Sequence, residues 1–408
     1  MITELTCSPV RHAPEFESHL TFAEFFAGIG LMRLGLERAG WSIVFANDID
    51  QQKHDMYSGH FRDTDNHFWV GDIHKIPIQS VPTVLLATAS FPCNDLSLAG
   101  ARKGLSGKQS SAFWGFTTIL EKMAERKPLL ILLENVTGFL TSNEGRDFAG
   151  ALQELNRIGY SVDAFILDAS HFVPQSRQRL FIVGSCQQSR SHARISATPC
   201  FYESVARPPA LAKFILLHPE IDWNLYDLPP LPTSNRVLSD ILEDLSDDVE
   251  NWWSTERAEY LLNQMSPKHR QVADEMIAGT GYSYGTVFRR IRNSKSMAEL
   301  RTDGIAGCLR TPRGGSGRQI LFKAGKGRYW ARLLSPRECG RLMGTDDYTI
   351  TVSLNQALFG FGDAVCVPVV EWIARNYLNP LAAKLLCSEP QTNHTSLYVT
   401  ADKATRQT

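Results

Sequence analysis

From residue 21 onward the chain alternates short apolar runs with helical stretches, and that alternation leaves few folds open to it. Apolar runs fall at 21–26, 42–46, 84–89, 129–133, 161–167 and 180–183, with helical stretches at 31–39, 51–59 and 148–158 between them. Strands and helices in alternation wind into an α/β fold with a doubly wound, mostly parallel sheet. The runs 161–167 and 180–183 lie close enough together for an antiparallel edge. After Gly184 the pattern dissolves into prolines, acidic clusters and glycines, notably Pro208-Pro209, Leu228-Pro229-Pro230-Leu231-Pro232 and Gly314-Gly315-Ser316-Gly317. A second, smaller and irregular lobe is expected there. Periodicity returns at 365–378, where Val365, Val369, Trp372, Ile373 and Tyr377 share one helical face. A chain of 408 residues, 43% apolar, can fill two such lobes. The first is expected at 18–195, completed by 345–385, and the second at 196–344. Residues 1–17 and 388–408 read as flexible tails.

Open α/β sheets place their chemistry in the crevice beyond the carboxyl ends of the strands. Ser90-Phe91-Pro92-Cys93-Asn94-Asp95 follows directly on the run 84–89 and puts a thiol in that crevice. An isolated cysteine is more often an inert buried one. Here three further motifs end or follow expected strands: Phe26-Ala27-Gly28-Ile29-Gly30, Glu134-Asn135-Val136 and Gln175-Ser176-Arg177-Gln178-Arg179. The glycine pair lets a ligand approach the backbone closely. The third glycine of the dinucleotide fingerprint is replaced by Arg33, which argues against a pyrophosphate cradle. Asp48 is placed to bind ribose hydroxyls and Asp72 to accept from an adenine amino group, although either acid could instead cap a helix. Adenosine without pyrophosphate points to S-adenosylmethionine. Glu134 emerges from the apolar run 129–133, where desolvation favours its neutral form. Arg177 and Arg179 alternate on an expected strand and so face the same way.

Taken in this order, the motifs resemble the signature series of the cytosine-C5 DNA methyltransferases, over residues 21–185 and 330–378. The resemblance implies a Rossmann-like S-adenosylmethionine methyltransferase sheet carrying a target-recognition domain. It implies that Phe26, Gly28, Gly30, Asp48, Ile49, Asp72 and Ile73 surround S-adenosylmethionine, joined by Pro92 and by Asp363 and Ala364 of the last motif, Gly362-Asp363-Ala364-Val365. Cys93 would add to cytosine C6, and Glu134 would deliver a proton or strong hydrogen bond to N3. Arg179 would reach the base and Glu134. Of the arginine pair, one would bond the cytosine O2 and the other a phosphate, with Gln175 supporting the loop at the DNA. The chain departs from the family's usual pattern at Asn94, Leu96, Leu31 and Asp363. Ser97 and the stretch 100–107 would meet the DNA backbone, and 108–113 has no assigned role. The late motif Arg332-Leu333-Leu334-Ser335-Pro336-Arg337-Glu338 is present, and nothing catalytic is missing.

Net charge is only −1, but it is segregated. Residues 288–332 hold twelve Lys or Arg against two acids, whereas 227–259 hold nine acids against two arginines. In the basic stretch, Arg310, Arg313, Arg318 and Gln319 are candidates for guanine edges or phosphates, and Lys323, Lys326 and Arg328 for phosphates. The eight cysteines are scattered without a Cys-x-x-Cys pair, which fits a reduced cytoplasmic protein without a structural metal. No apolar run approaches the ~20 residues that span a bilayer. The expectation is a bacterial or phage enzyme, monomeric, that flips cytosine out of double-stranded DNA, accompanied by a cognate restriction endonuclease without a stable complex. Methylation of transfer RNA by the same chemistry and a non-catalytic DNA-binding regulator are the alternatives. A nucleotide-dependent oxidoreductase fails on the missing third glycine.

Overall fold

The apolar runs of the first half form the strands of one seven-stranded sheet: β1 (Thr21–Phe25), β2 (Ser42–Asp48), β3 (Phe68–Val70), β4 (Leu86–Ala89), β5 (Leu130–Val136), β6 (Ser161–Asp168) and β7 (Gln178–Ser185). The protein is seen here in a computed structural model that describes residues 20–92, 112–186, 202–244, 251–292, 295–311 and 317–388. Strand order is β3-β2-β1-β4-β5-β7-β6. β1 pairs in parallel with both β2 and β4, and β4 with β5. β7 runs antiparallel to both its neighbours, so the reversed strand sits inside the sheet between β5 and β6 instead of at its edge. The chain leaves β1 in one direction and returns across it to β4, which makes the β1/β4 junction the topological switch point where such sheets bind ligands. The glycine loop leaves β1 there, and Phe91 and Pro92 leave β4 beside it.

Helices cover both faces. The expected helical stretches are α1 (Leu31–Arg38), α2 (Gln51–His60) and α4 (Arg146–Arg157), with α3 (Ala112–Lys122) preceding β5. Leu130, Ile131, Leu132 and Leu133 of β5 are fully enclosed between the two layers. Each such side chain contributes about 1.5–3 kcal/mol by leaving water. Residues 202–226 also belong to this body, although the second lobe was expected to begin at 196. Val162 bridges Trp223, Ile166 N donates to Ala206 O, and Leu211, Phe214 and Ile215 of α5 (Pro209–Leu217) join the core cluster of β5 and β6. Arg207 and buried Asp163 lock the segment at 2.9 Å, with Tyr377 donating to the same carboxylate at 3.1 Å. Burial holds the Asp163 carboxyl above its usual range despite Arg207.

The second body is a four-stranded antiparallel sheet, β8 (Ser283–Arg292), β9 (Lys295–Arg301), β10 (Ile320–Gly325) and β11 (Arg328–Leu333), in the order β11-β10-β8-β9. One face packs on α6 (Thr255–Asn263) and α7 (Pro267–Ala278) through Ala258, Leu261, Leu262, Ala273, Val287, Phe322 and Ala331.

The chain then returns to the first sheet through α8 (Pro336–Leu342), α9 (Leu354–Asp363), α10 (Val367–Ile373), a π-helical turn (Ala374–Leu378) and α11 (Asn379–Ser388). Ser335 and Glu338 form a capping box at α8, and Glu338 also takes both terminal nitrogens of buried Arg332, at 2.5 and 2.7 Å. α10 lies directly on α1. A Cβ on Gly35 would stand 2.5 Å from that of Val370, so glycine permits the close approach. The stretch Leu354–Cys387 is long and apolar enough, by length and composition, to cross a membrane. It is broken between α9 and α10, where Ala364 is extended, and most of its apolar surface is buried against the sheet and α1.

Candidate active site and nucleic-acid interface

At the glycine loop, Phe26, Gly28 and Gly30 all carry positive φ, 58°, 56° and 79°. A Cβ on Gly28 would meet nothing within 4 Å, so the backbone there faces open space where a ligand could approach. Gly30 is different: a Cβ would meet the ring atoms of Phe61 and Tyr57 at 2.4 and 2.7 Å. Asp48 ends β2 and accepts from Gly28 N at 2.8 Å and from Asp50 N at 2.9 Å, leaving further lone pairs on both oxygens for ribose hydroxyls. The helix cap is not Asp48 but Asp50, which accepts from Gln52 N and Lys53 N. Asp72 does cap a short turn through His74 N. Ile49 is 68% exposed at the mouth of the loop, an apolar shelf of the kind an adenine ring covers, whereas Ile73 is buried in the core. Pro92 is exposed at the exit of β4. These residues fit a nucleoside with a short chain, and among the described residues no cluster of His, Cys, Asp or Glu could hold a metal.

Behind the loop lies Glu24 of β1, fully buried, with Oε2 unpartnered. Burial, seconded by Glu37 and Asp48, holds its carboxyl well above the usual range against the pull of Arg33. The sequence reading passed over this residue.

Near the carboxyl end of β5 and the start of β7, Glu134 Oε1 pairs with Arg179 Nε at 2.9 Å. Register explains the pair. Arg179 stands opposite Val136, and Glu134 opposite Phe181, so the two side chains meet across a diagonal. Asn135 donates from Nδ2 to Phe91 O at 3.1 Å, tying the exit of β5 to that of β4. Cys93 and Ser97, the expected nucleophile and DNA contact, lie outside the described residues, as do 100–110 and Arg313.

Arg177 does not share the direction of Arg179. It precedes β7, its own N–H held by Asp168 Oδ1, and the period-two rule does not reach it. Its buried guanidinium donates to Leu309 O at 2.7 Å, Gly362 O at 3.1 Å, Ala364 O and Cys308 Sγ at 3.4 Å. Expected at a phosphate or the cytosine O2, it instead pins the second lobe and the C-terminal helices to the catalytic strand. Gln175, expected at the DNA, is likewise fully buried, donating to Leu342 O and accepting from Leu309 N. Gln319 is buried as well, with Nε2 on Cys308 O. Lys323, expected at a phosphate, is sunk among Trp252, Tyr282 and Trp330. Arg310 is exposed, and Arg318 bonds Asn355 at 2.8 Å.

Asp363, expected at the cofactor pocket, pairs with Lys53 of α2 at 2.9 Å and accepts from Thr311 Oγ1. The charge is what makes this contact possible where the family's usual residue is neutral. Cys308 also escaped the sequence reading, being one of eight scattered cysteines. Burial would raise its thiol, but Arg177, Arg179 and Arg310 outweigh burial and hold it below its ordinary range.

Comparison with known proteins identifies the family and the fold. The C-5 cytosine-specific DNA methylase family matches residues 20–379. Type II methyltransferase M.HhaI of Haemophilus parahaemolyticus is 28% identical over 367 residues, covering 88% of this chain and 94% of that protein. Type II methyltransferase M.DsaV of Dactylococcopsis salina is 28% identical over 367 residues, covering 89% and 87%. The DNA-cytosine methyltransferase of Escherichia coli K12 is 26% identical over 416 residues, covering 90% and 79%. Among solved structures, the Dnmt2 methyltransferase of S. pombe superposes with a TM-score of 0.57 at 17% identity, covering 89% of this chain and 99% of that one.

Proposed function

The chain belongs to the C-5 cytosine-specific DNA methylase family, and on that premise we propose that it transfers a methyl group from S-adenosylmethionine to C5 of cytosine in double-stranded DNA. The observation that carries the reading is the Glu134–Arg179 pair across β5 and β7, one strand from the exit of β4 and two from β1, whose loop carries the open backbone of Gly28.

Cytosine C5 is a weak nucleophile, so the enzyme must first load electrons onto the ring. The thiolate of Cys93 adds to C6, forming the S–C6 bond and pushing the C5–C6 π electrons toward C5. Glu134, protonated, donates to N3 and relieves the negative charge that addition creates. Arg179 holds the Glu134 carboxyl in place and reaches the cytosine O2. Gly28, Asp48, Ile49 and Asp72 would hold S-adenosylmethionine, whose sulfonium would supply an electrophilic methyl to C5 and leave as the neutral thioether. A base would then remove the C5 proton, and the returning electrons would expel the Cys93 thiolate. A cytosine stacked in a duplex cannot reach this crevice, so it is flipped out, and the exposed Arg310 is the described recognition-loop residue positioned for DNA.

Similarity to type II methyltransferases supports the reading that this chain is the modification partner of a restriction endonuclease. The chain, expressed in a bacterium lacking cytosine methylation, should leave 5-methylcytosine confined to one short motif on bisulfite mapping. Glu134→Gln should cut turnover by roughly 10²–10⁴-fold while cofactor binding survives. A folded, cofactor-binding protein that leaves the genome blank would overturn the proposal.

A further inference from the structure

The loop that carries Cys308 is clamped by both lobes. Ser176 N donates to Ala306 O at 3.0 Å and Ala306 N to Pro174 O at 2.8 Å, so residue 306 pairs with the segment that leads into β7. One residue on, Gly307 N donates to Thr286 Oγ1 of β8. Cys308 O then accepts from Gln319 Nε2 at 3.2 Å, and Leu309 N donates to Gln175 Oε1 at 3.0 Å. A backbone bonded at each residue from 306 to 309 has little freedom left, and it delivers the Cys308 side chain to a set place.

That place is between two arginines. Arg177 Nη1 lies 3.4 Å from the Cys308 sulfur, and Arg179 hydrogen-bonds the same atom. The two guanidinium groups repel each other. Burial and then Arg179 lower the pKa of Arg177, and Cys308 offsets them more than Glu134 or Cys366 does. A neutral thiol here can donate to Leu309 O at 3.2 Å, but that carbonyl already accepts from Arg177 Nη1 at 2.7 Å. An ionised sulfur instead accepts from both arginines, and charge-assisted bonds of this kind are roughly twice as strong as neutral ones. Burial opposes that ionisation, and Arg177, Arg179 and Arg310 outweigh it.

Arg179 gains most from the contact. It reaches Glu134 through one bond, Nε to Oε1 at 2.9 Å, and its Nη1 donates to Gln178 O at 2.8 Å. A guanidinium is a planar fork of donors, and two contacts leave that plane free to swing about the line between them. A third partner restricts the swing. Arg177, anchored on the carbonyls of Leu309 and Gly362, is the fixed side of the wedge, and Arg179 is the adjustable one.

We infer that Cys308 is a positioning residue for methyl transfer: its sulfur, wedged between Arg177 and Arg179, fixes the Arg179 guanidinium in the orientation that holds Glu134 in place for the cytosine. The inference rests on the reading of the chain as a DNA methylase, and it concerns the geometry of the catalytic pair, not the recognition of a sequence.

The test uses the full chain, S-adenosylmethionine and a duplex carrying the motif found by methylation mapping, with rates taken per cofactor-binding site so that misfolded protein does not count. Cys308→Ala should slow single-turnover methyl transfer roughly ten- to a hundredfold, the scale of a small misplacement at a reacting centre, while S-adenosylmethionine and duplex affinities do not move. Cys308→Ser keeps an acceptor that does not ionise and should recover only part of the rate. The decisive comparison is made in an Arg179→Lys background. A residue that acts through Arg179 has nothing left to position there, so adding Cys308→Ala should slow the reaction no further, whereas an independent structural role would give additive losses. A full rate in Cys308→Ala, or the same loss on top of Arg179→Lys, would overturn the inference and leave the methylase reading standing. If Cys308→Ala does not fold, Cys308→Ser carries both comparisons and the same outcomes decide. A wild type that binds S-adenosylmethionine but methylates no duplex would overturn the methylase reading and the inference with it.

Discussion

Arg177 ties the second lobe and the C-terminal helices to the first sheet, and Arg177→Met measures that tie. Methionine approximates the apolar stem and supplies no donor. The substitution strips partners from three carbonyls, the buried Leu309 O and Gly362 O and the half-buried Ala364 O, and removes the contact to Cys308 Sγ. An unpaired buried acceptor costs roughly 1–3 kcal/mol. Against that stands relief from burying a cation, since burial and then the neighbouring Arg179 already pull the Arg177 guanidinium below its ordinary pKa. Breaking one side of a buried charged network typically costs about 3–5 kcal/mol, and we expect a net loss in that range. Total stabilities run to only about 5–15 kcal/mol, so the variant should show a clearly lower urea midpoint by circular dichroism. Arg177→Lys should recover only part, because an ammonium cannot fork between three acceptors on two elements. A loss below about 1 kcal/mol in Arg177→Met would refute the argument that this residue holds the lobes together.

Two loop glycines should separate binding from folding. Gly30→Ala collides with Phe61 and Tyr57 and should lower stability by roughly 1–3 kcal/mol, whereas Gly28→Ala meets no protein atom and should instead cut S-adenosylmethionine affinity, with a smaller stability loss of about 1–2 kcal/mol from its positive φ. Equal effects on both quantities in calorimetry and unfolding would count against that division. Glu24→Gln should reveal a pH-dependent term. Burial raises the Glu24 carboxyl in the folded state, so folding binds its proton, and the associated stability is complete below the ordinary carboxylate range and is lost as pH rises through the raised value. Glutamine keeps a neutral acceptor without titrating. Unfolding midpoints of variant and wild type should therefore converge near pH 4 and diverge in favour of the variant toward pH 8, and a constant gap would contradict the assignment.

What the sequence could show of this fold is what periodicity and local order encode. Buried strands such as 130–133 announce themselves as apolar runs, and the turn chemistry of Gly28 and Gly30 sits in consecutive residues. The insertion of β7 between β5 and β6 follows from pairing energies between distant segments and leaves no local mark. The antiparallel sheet of the second lobe was equally silent, because β8 and β9 carry charge where a half-buried strand would alternate cleanly. Residue roles divide along the same line. Glu134 and Arg179 were legible as a pair because each follows or opens an apolar run near one edge of the sheet, where this architecture gathers its chemistry. Arg177 and Gln175 belong to the same motif and looked like functional neighbours, but motif spacing cannot say which member turns inward.

The Lys53–Asp363–Thr311 contact shows how a departure from a pattern acquires a physical meaning only in three dimensions. Lys53 stands five residues past Asp48 on α2, Asp363 closes α9, and Thr311 belongs to the loop that begins with Ala306 and Gly307. Burial would lower the Lys53 ammonium, but Asp363 and Asp48 more than offset it and hold it above its usual range. One carboxylate thus joins α2 to the loop that carries Arg310 and Thr311. A neutral amide there could accept from Thr311 but could not form an ion pair with Lys53. The charge at 363 is therefore a structural tie between α2 and the loop at Thr311.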